Sequence, residues 1–198
     1  MKSGNSMVYV VDDDPSVGTA IERLIRSAGH EARVFTSASD FLDCFDPDAP
    51  ACLVLDVDMP AVSGLDLQEY LAGKSIPLPI VFITGHGTVP MSVKAMKAGA
   101  VDFLPKPFSD ADLLDAVRHA IESDRRARRE HEHVATLRGR LKTLTPRERE
   151  VFRLVVQGLL NKQIAFELGT AEKTVKVHRA RVSAKMGARS IEIGRAHV

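Results

Sequence analysis

Between residues 7 and 122 the chain alternates short apolar runs with amphipathic stretches, and this repetition leaves few folds open to it. The runs "MVYVV" (7–11), "EARVF" (31–35), "CLVLDV" (52–57), "LPIVFIT" (78–84) and "AVDFLP" (100–105) have the length and composition of strands. The stretch after the first run reads as a helix. Pro15 suits its first turn, Val17, Ala20, Ile21, Leu24 and Ile25 recur at helical spacing, and Gly29 ends it. Strands that alternate with helices pair in parallel, and runs as apolar as "CLVLDV" are buried on both faces. The pattern predicts an α/β domain with a doubly wound, five-stranded parallel sheet. Ligands of such sheets bind beyond the carboxyl ends of the strands.

What stands at those ends is chemically distinctive. The first strand runs into Asp12 and Asp13, the third into Asp56, the fourth into Thr84, and the fifth into Lys106 followed by Pro107. Taken alone, "VVDDDP" reads equally well as acids placed at a helix N-terminus, where the helix dipole favours them. Convergence from several strand ends points elsewhere. Three carboxylates with Lys106 as their one cationic neighbour make a hard oxygen site suited to Mg²⁺. The Thr84 hydroxyl and the Lys106 ammonium are left to hold a phosphoryl group.

Charge divides the chain in two. Residues 1–122 carry 9 Lys and Arg against 18 Asp and Glu, a net −9, whereas residues 123–198 carry 18 against 8, a net +10. The overall +1 therefore hides an acidic half with a cation or phosphate site and a basic half suited to a polyanion. Cys44 and Cys52 are too few for a disulfide framework and sit among apolar residues, so both are expected to be buried thiols. No apolar run approaches the ~18 residues of a membrane-spanning helix, and no signal peptide opens the chain. A cytoplasmic protein with no membrane partner is expected.

The domain organisation read from this is 1–122, a helical linker at 123–142, and a second domain at 143–198. Within "SDRRARREHEHVATLRGRLKTLT", Val134, Leu137, Leu141 and Leu144 are spaced 3, 4, 3, a heptad seam that fits either a short coiled coil or a helix lying on a domain. "RRARR" reads as a solvated face. From Thr145 three close helices follow: "PREREVFRLVVQG", "NKQIAFELG" and "EKTVKVHRARVSAKMG". Thr145, Pro146 and Glu148 form a capping box with proline at the first position. Gly169 makes a tight turn into a helix whose expected cap is Thr170, which is helix-turn-helix grammar. On the last helix Val175, His178, Val182 and Met186 share one face. The other displays Lys173, Thr174, Lys176, Val177, Arg179, Ala180, Arg181 and Lys185, which suits a DNA major groove; a merely solvated amphipathic helix is the alternative.

Residues 7–122 resemble a response-regulator receiver domain of the CheY-like fold, and "VFITGHGTVPMSVKAMKAGAVDFLPKPF" is especially close to the FixJ group. The resemblance implies that Asp56 accepts a phosphoryl group from a sensor histidine kinase. It further implies that Asp13, Asp56, the carbonyl of Asp58 and indirectly Asp12 hold Mg²⁺, with Asp14 a bystander. Lys106 is then the phosphoryl-binding ammonium, its bond to Pro107 cis, and Thr84 with Phe103 the switch pair. By spacing alone Phe103 reads as a core aromatic, and His86 as an exposed loop histidine. The stripe of Met91, Val93 and Met96 reads as core, and in the family its helix also contributes to a phosphorylation-dependent homodimer.

Residues 143–190 resemble the LuxR/NarL-type DNA-binding domain through "LTPREREV", "GLLNKQIAFELG" and "TVKVHRARVSAKMGARS". That resemblance places Lys176, Val177 and Ala180 at base edges and Lys173, Thr174, Arg179, Arg181 and Lys185 near phosphates. Asn161 and Lys162 open the supporting helix at the DNA backbone. His178 stays open between core packing and a phosphate contact.

A two-component response regulator is therefore expected, one that binds promoter DNA and activates RNA polymerase, with no enzymatic turnover beyond its own phosphotransfer and dephosphorylation. "LDVDMP" also fits the nucleophile motif of haloacid-dehalogenase-type phosphatases. Chain order separates the two, because in those enzymes the acidic pair follows the nucleophile whereas Asp12 and Asp13 precede Asp56. A DNA-binding protein whose receiver no longer switches is disfavoured by the complete set of Asp12, Asp13, Asp56, Thr84 and Lys106. After Ser190 only Ile191 and Ile193 remain as apolar anchors, so a closing helix is expected to be missing or frayed and the tail to be cut short or replaced.

Overall fold

The computed structural model describes residues 6–47 and 49–188. The chain divides into two compact units, Met1–Arg128 and Arg129–Val198. In the first, strands β1 (Met7–Val11), β2 (Glu31–Phe35), β3 (Ala51–Asp56), β4 (Ile80–Thr84) and β5 (Asp102–Pro105) alternate with helices α1 (Pro15–Ser27), α2 (Ala38–Cys44), α3 (Gly64–Gly73) and α4 (Val89–Lys97). Helix α5 (Asp110–Lys142) follows. All strands pair in parallel in the order β2-β1-β3-β4-β5.

Strand alternation sorts the core into two layers. Tyr9, Val11, Leu53, Leu55 and Phe82 point to one side and pack with Phe41, Leu67 and Leu71 of α2 and α3. Val8, Val10, Cys52, Val54, Val81 and Ile83 point to the other and pack with Ile21, Ile25, Leu113, Val117 and Ile121 of α1 and α5. Each such aliphatic or aromatic side chain contributes roughly 1.5–3 kcal/mol by leaving water. With β3 buried along its whole length, no polar residue is tolerated on it until the strand ends at Asp56.

Helix starts follow local chemistry. Asp14, expected as a bystander, is the N-cap of α1: its carboxylate accepts from the Ser16 amide at 2.8 Å, with Pro15 at the first helical position. Ser63 and Asp66 form a capping box on α3. Cys44 departs from expectation. It is exposed at the last position of α2, where the helix ends, while Cys52 is buried on β3 and its burial pushes the thiol pKa up.

The second unit contains the end of α5 and the helices α6 (Pro146–Val156), α7 (Asn161–Glu167) and α8 (Glu172–Met186). Val151, Leu154, Val155, Ile164, Ala165 and Val175 form its core. Of the heptad seam, Leu144 is buried, Leu137 and Leu141 are half-buried and Val134 is exposed. The expected capping box of Thr145 and Glu148 is present at α6. The cap expected at Thr170 is not. Gly169 adopts φ 58° and the Thr170 amide donates to the Ala165 carbonyl at 2.9 Å, so Thr170 closes α7, and Ala171 is the N-cap of α8 with no side-chain bond. The expected loss of a closing helix after Ser190 falls outside the described residues.

Candidate functional site

The carboxyl ends of β1, β3, β4 and β5 bring the predicted groups together. The sheet register pairs Val11 with Leu55, Asp56 with Ile83 and Thr84 with Pro105, so that residues just beyond these pairs meet over one edge. Asp12 and Asp56 are buried, Asp13 is exposed, and one carboxylate oxygen from each lies within 4.8 Å of the others. Lys106 Nζ donates to Asp12 Oδ2 at 2.8 Å and to Asp56 Oδ2 at 2.9 Å. The Asp14 amide donates to Asp12 Oδ1 at 2.9 Å and the Asp58 amide to Asp56 Oδ1 at 3.2 Å, which fixes both carboxylate planes.

Electrostatics follow from this packing. Burial pushes the Asp12 carboxyl above its ordinary value, against the opposing pull of Lys106 and the Asp14 amide. Burial also works to lower the Lys106 pKa, but its hydrogen bonds to Asp12 and Asp56 outweigh that and hold the ammonium above its usual range. Three carboxylates thus face one ammonium, leaving two negative charges in excess in a cluster of hard oxygen donors. That donor set fits a divalent cation of the Mg²⁺ kind.

Thr84 stands beside the cluster. Its hydroxyl donates to Asp58 Oδ2 at 2.7 Å and accepts from the His86 amide at 3.1 Å. His86 is a loop residue with a side chain 92% exposed, its Nδ1 3.8 Å from Asp58 Oδ2. The Lys106–Pro107 bond is cis, and the Lys106 amide donates to the Thr84 carbonyl at 2.7 Å. Phe103 is half-buried against the first core layer, its ring 6.1 Å from that of Phe82. Of the stripe on α4, Val93 and Met96 are exposed and Met91 is half-buried. A cavity of about 290 Å³ lined by Gln68, Leu71, Pro79 and Asp124 opens at the opposite end of β4 and takes no part in this site.

Two positions that sequence reasoning passed over shape the site. A Cβ on Gly64 would lie 2.3 Å from the Asp56 carbonyl oxygen, so only glycine lets α3 start this close to the end of β3. A Cβ on Gly87 would lie 2.9 Å from both the Phe103 ring and the Thr84 methyl. The glycines are visible in the sequence, but their neighbours are not.

In the second unit, α8 buries Val175 and Val182 and exposes Lys173, Thr174, Lys176, Ala180 and Arg181, with Val177 45% exposed among them. Lys162 is exposed at the start of α7. Arg179 donates to Asn161 Oδ1 at 2.9 Å and so ties α8 to the head of α7. Lys176 lies 3.4 Å from Glu172, one turn back. Lys185 differs from the exposed cations: it is half-buried, and its ammonium donates to Glu148 Oε2 at 2.6 Å and to the Thr143 carbonyl at 3.0 Å. His178 is half-buried, and its Nδ1 has no hydrogen-bond partner among the described residues. In "RRARR", Arg125 donates to Ser6 Oγ at 2.7 Å and Arg128 to Asp124 Oδ2 at 2.7 Å, so that run is partly bonded to the first unit. Among the described residues no helix is long and apolar enough to cross a membrane.

A doubly wound sheet with an acid cluster and a lysine at its carboxyl edge, together with a basic helix-turn-helix unit, defines a receiver joined to a DNA-binding domain. Comparison with known proteins agrees: residues 8–118 match the response regulator receiver domain, and residues 142–192 match the bacterial regulatory proteins of the luxR family. The chain belongs to the two-component response regulators, as a transcriptional regulator with a receiver and a LuxR-type DNA-binding domain. It is 52% identical over 189 residues to nodulation protein W of Bradyrhizobium diazoefficiens, covering 96% of this chain and 83% of that protein. Among solved structures it resembles the response regulator StyR, with 49% identity, 94% of both chains covered and a TM-score of 0.85. Full-length FixJ from B. japonicum is similar at 39% identity, with 93% and 91% covered and a TM-score of 0.59.

Proposed function

We propose that Asp56 takes a phosphoryl group from the phosphohistidine of a sensor histidine kinase, and that the modified protein forms a homodimer, binds promoter DNA through α8 and activates transcription by RNA polymerase in the cytoplasm. The observation that carries this reading is the Lys106 ammonium held between two buried carboxylates, with Asp13 completing the cluster.

The chemistry asked of the chain is small. An Asp56 carboxylate oxygen attacks phosphorus, the phosphorus–nitrogen bond of the donor breaks, and the departing imidazole keeps the electron pair and takes up a proton. Lys106 steadies the negative charge gathering between Asp56 and the incoming oxygens. Asp12, Asp13 and Asp56, with the Asp58 carbonyl, would hold Mg²⁺, which when bound neutralises the phosphoryl oxygens as they meet the carboxylate. Thr84, now donating to Asp58, turns its hydroxyl to a phosphoryl oxygen, and Phe103 turns toward the space this frees, changing the surface near α4. No other substrate is turned over. On α8, Lys176, Val177 and Ala180 meet base edges while Lys173, Thr174, Arg179 and Arg181, with Asn161 and Lys162, face the phosphate backbone.

Acetyl phosphate with Mg²⁺ tests the acceptor. Intact-mass and peptide analysis should find one phosphoryl group, on Asp56. Labelling that survives Asp56→Asn overturns the assignment.

A further inference from the structure

We propose that Arg140, a residue of the segment preceding the DNA-binding helices, is a positioning residue for DNA recognition: its guanidinium closes the C-terminal end of α8. The last carbonyls of a helix have no partner within it. In α8 the Gly187 amide serves Ala184 and the Ala188 amide serves Ser183 at 3.1 Å, with Gly187 left-handed at φ 67°. The Met186 carbonyl receives Arg140 Nη1 instead, at 2.8 Å.

The neighbouring residue makes room for the same guanidinium. A Cβ on Gly187 would lie 2.7 Å from Arg140 Nη1 and 3.1 Å from Cζ, so the guanidinium lies over the bare Cα of a residue whose left-handed φ already favours glycine. A cation at this point also meets the negative end of the helix dipole. One residue back, Lys185 donates to the Thr143 carbonyl at 3.0 Å and to Glu148. The final turn of α8 is therefore tied to residues 140–148 by the side chains of Arg140 and Lys185. Lys176, Val177 and Ala180 lie on the preceding turns, and a frayed last turn would leave their placement against base edges less well defined.

The inference rests on α8 being the helix that reads DNA, and the experiment separates the two. Full-length protein treated with acetyl phosphate is used to select a duplex from a random-sequence library, and binding to it is compared with binding to an unselected duplex. Arg140→Ala should bind the selected duplex about threefold to tenfold more weakly, with a smaller loss on the unselected one, and Arg140→Lys should recover most of the loss. Hydrogen exchange at the amides of residues 184–187 should quicken in Arg140→Ala, while phosphorylation of Asp56 is unchanged. Equal losses on both duplexes with a shallower salt dependence would make Arg140 a phosphate contact and overturn the proposal, as would unchanged binding or failure of Arg140→Lys to recover it. Lys176→Ala is run alongside. If it keeps the sequence preference, the assignment of α8 falls and the proposal with it; if it loses the preference while Arg140→Ala binds normally, the closing role of Arg140 alone is overturned.

Discussion

Gly64 shows how much a single missing methyl can govern. The Cβ of any other residue would press on the Asp56 carbonyl oxygen, which belongs to a strand buried on both sides and has nowhere to move. Gly64→Ala should cost about 1–3 kcal/mol, at the upper end because the obstacle is backbone, and should slow labelling of Asp56 as the end of β3 shifts. Urea unfolding together with the rate of acetyl phosphate labelling checks both. Asp58 makes a different point. Its carboxylate takes the Thr84 hydroxyl, and beside an acyl phosphate it could also orient a hydrolytic water. Asp58→Ala should lengthen the lifetime of the phosphorylated form, read by the decay of the phosphorylated mass; an unchanged decay rate would make the side chain a spectator.

At the scale of elements, the DNA-binding helices are joined by one buried carboxylate. Glu148 accepts from the Lys185 ammonium and from the Thr145 amide, which together hold its pKa down to about 2 from an ordinary 4.5. A group whose folded pKa is depressed stabilises above its unfolded value and loses that contribution as pH falls through the folded one. The second unit should therefore be insensitive to pH through this residue above about 4.5, and weaken progressively from there down to about 2. Glu148→Gln should flatten that dependence, followed by the amide NMR signals of α6 and α8 during acid unfolding. Lys185→Ala should lower the melting temperature of the same unit by leaving the buried carboxylate without its cation. It should leave the salt dependence of DNA binding unchanged. A phosphate contact by Lys185 would instead reduce the salt slope by roughly one charge with no loss of stability.

The whole molecule separates an acidic half from a basic one, and each charge has its own task. The net −9 of residues 1–122 is concentrated in part at the cluster of Asp12, Asp13 and Asp56, and the net +10 of residues 123–198 supplies attraction for a polyanion that does not depend on sequence. Asp56→Asn should consequently keep the basal affinity for unselected DNA and its salt slope, while losing the gain in specific binding and in dimer mass that a phosphodonor produces. Fluorescence anisotropy at several salt concentrations and size-exclusion chromatography with light scattering measure the two. A donor-dependent gain that persists in Asp56→Asn would locate the switch elsewhere.

How much of this was legible beforehand depended on the range over which each feature is decided. The five strands, the carboxylates and lysine at their ends, the Thr145–Glu148 capping box and the exposed cationic face of α8 were readable, because apolar periodicity and helix-end chemistry act within a few residues. Strand ends even implied a common site, since parallel strands carry their carboxyl ends to one edge. Other features were not readable. Cys44 is exposed at the end of α2, Thr170 closes one helix instead of opening the next, and Lys185 pairs with Glu148, 37 residues away in the chain. What Gly64 and Gly87 make room for is set by neighbours that the fold brings to them. Spacing along the chain settles which face of a helix or strand a side chain occupies, but not what the fold sets opposite it. Hydrogen bonds and close packing act over only a few ångströms, so their partners are decided by the tertiary structure alone.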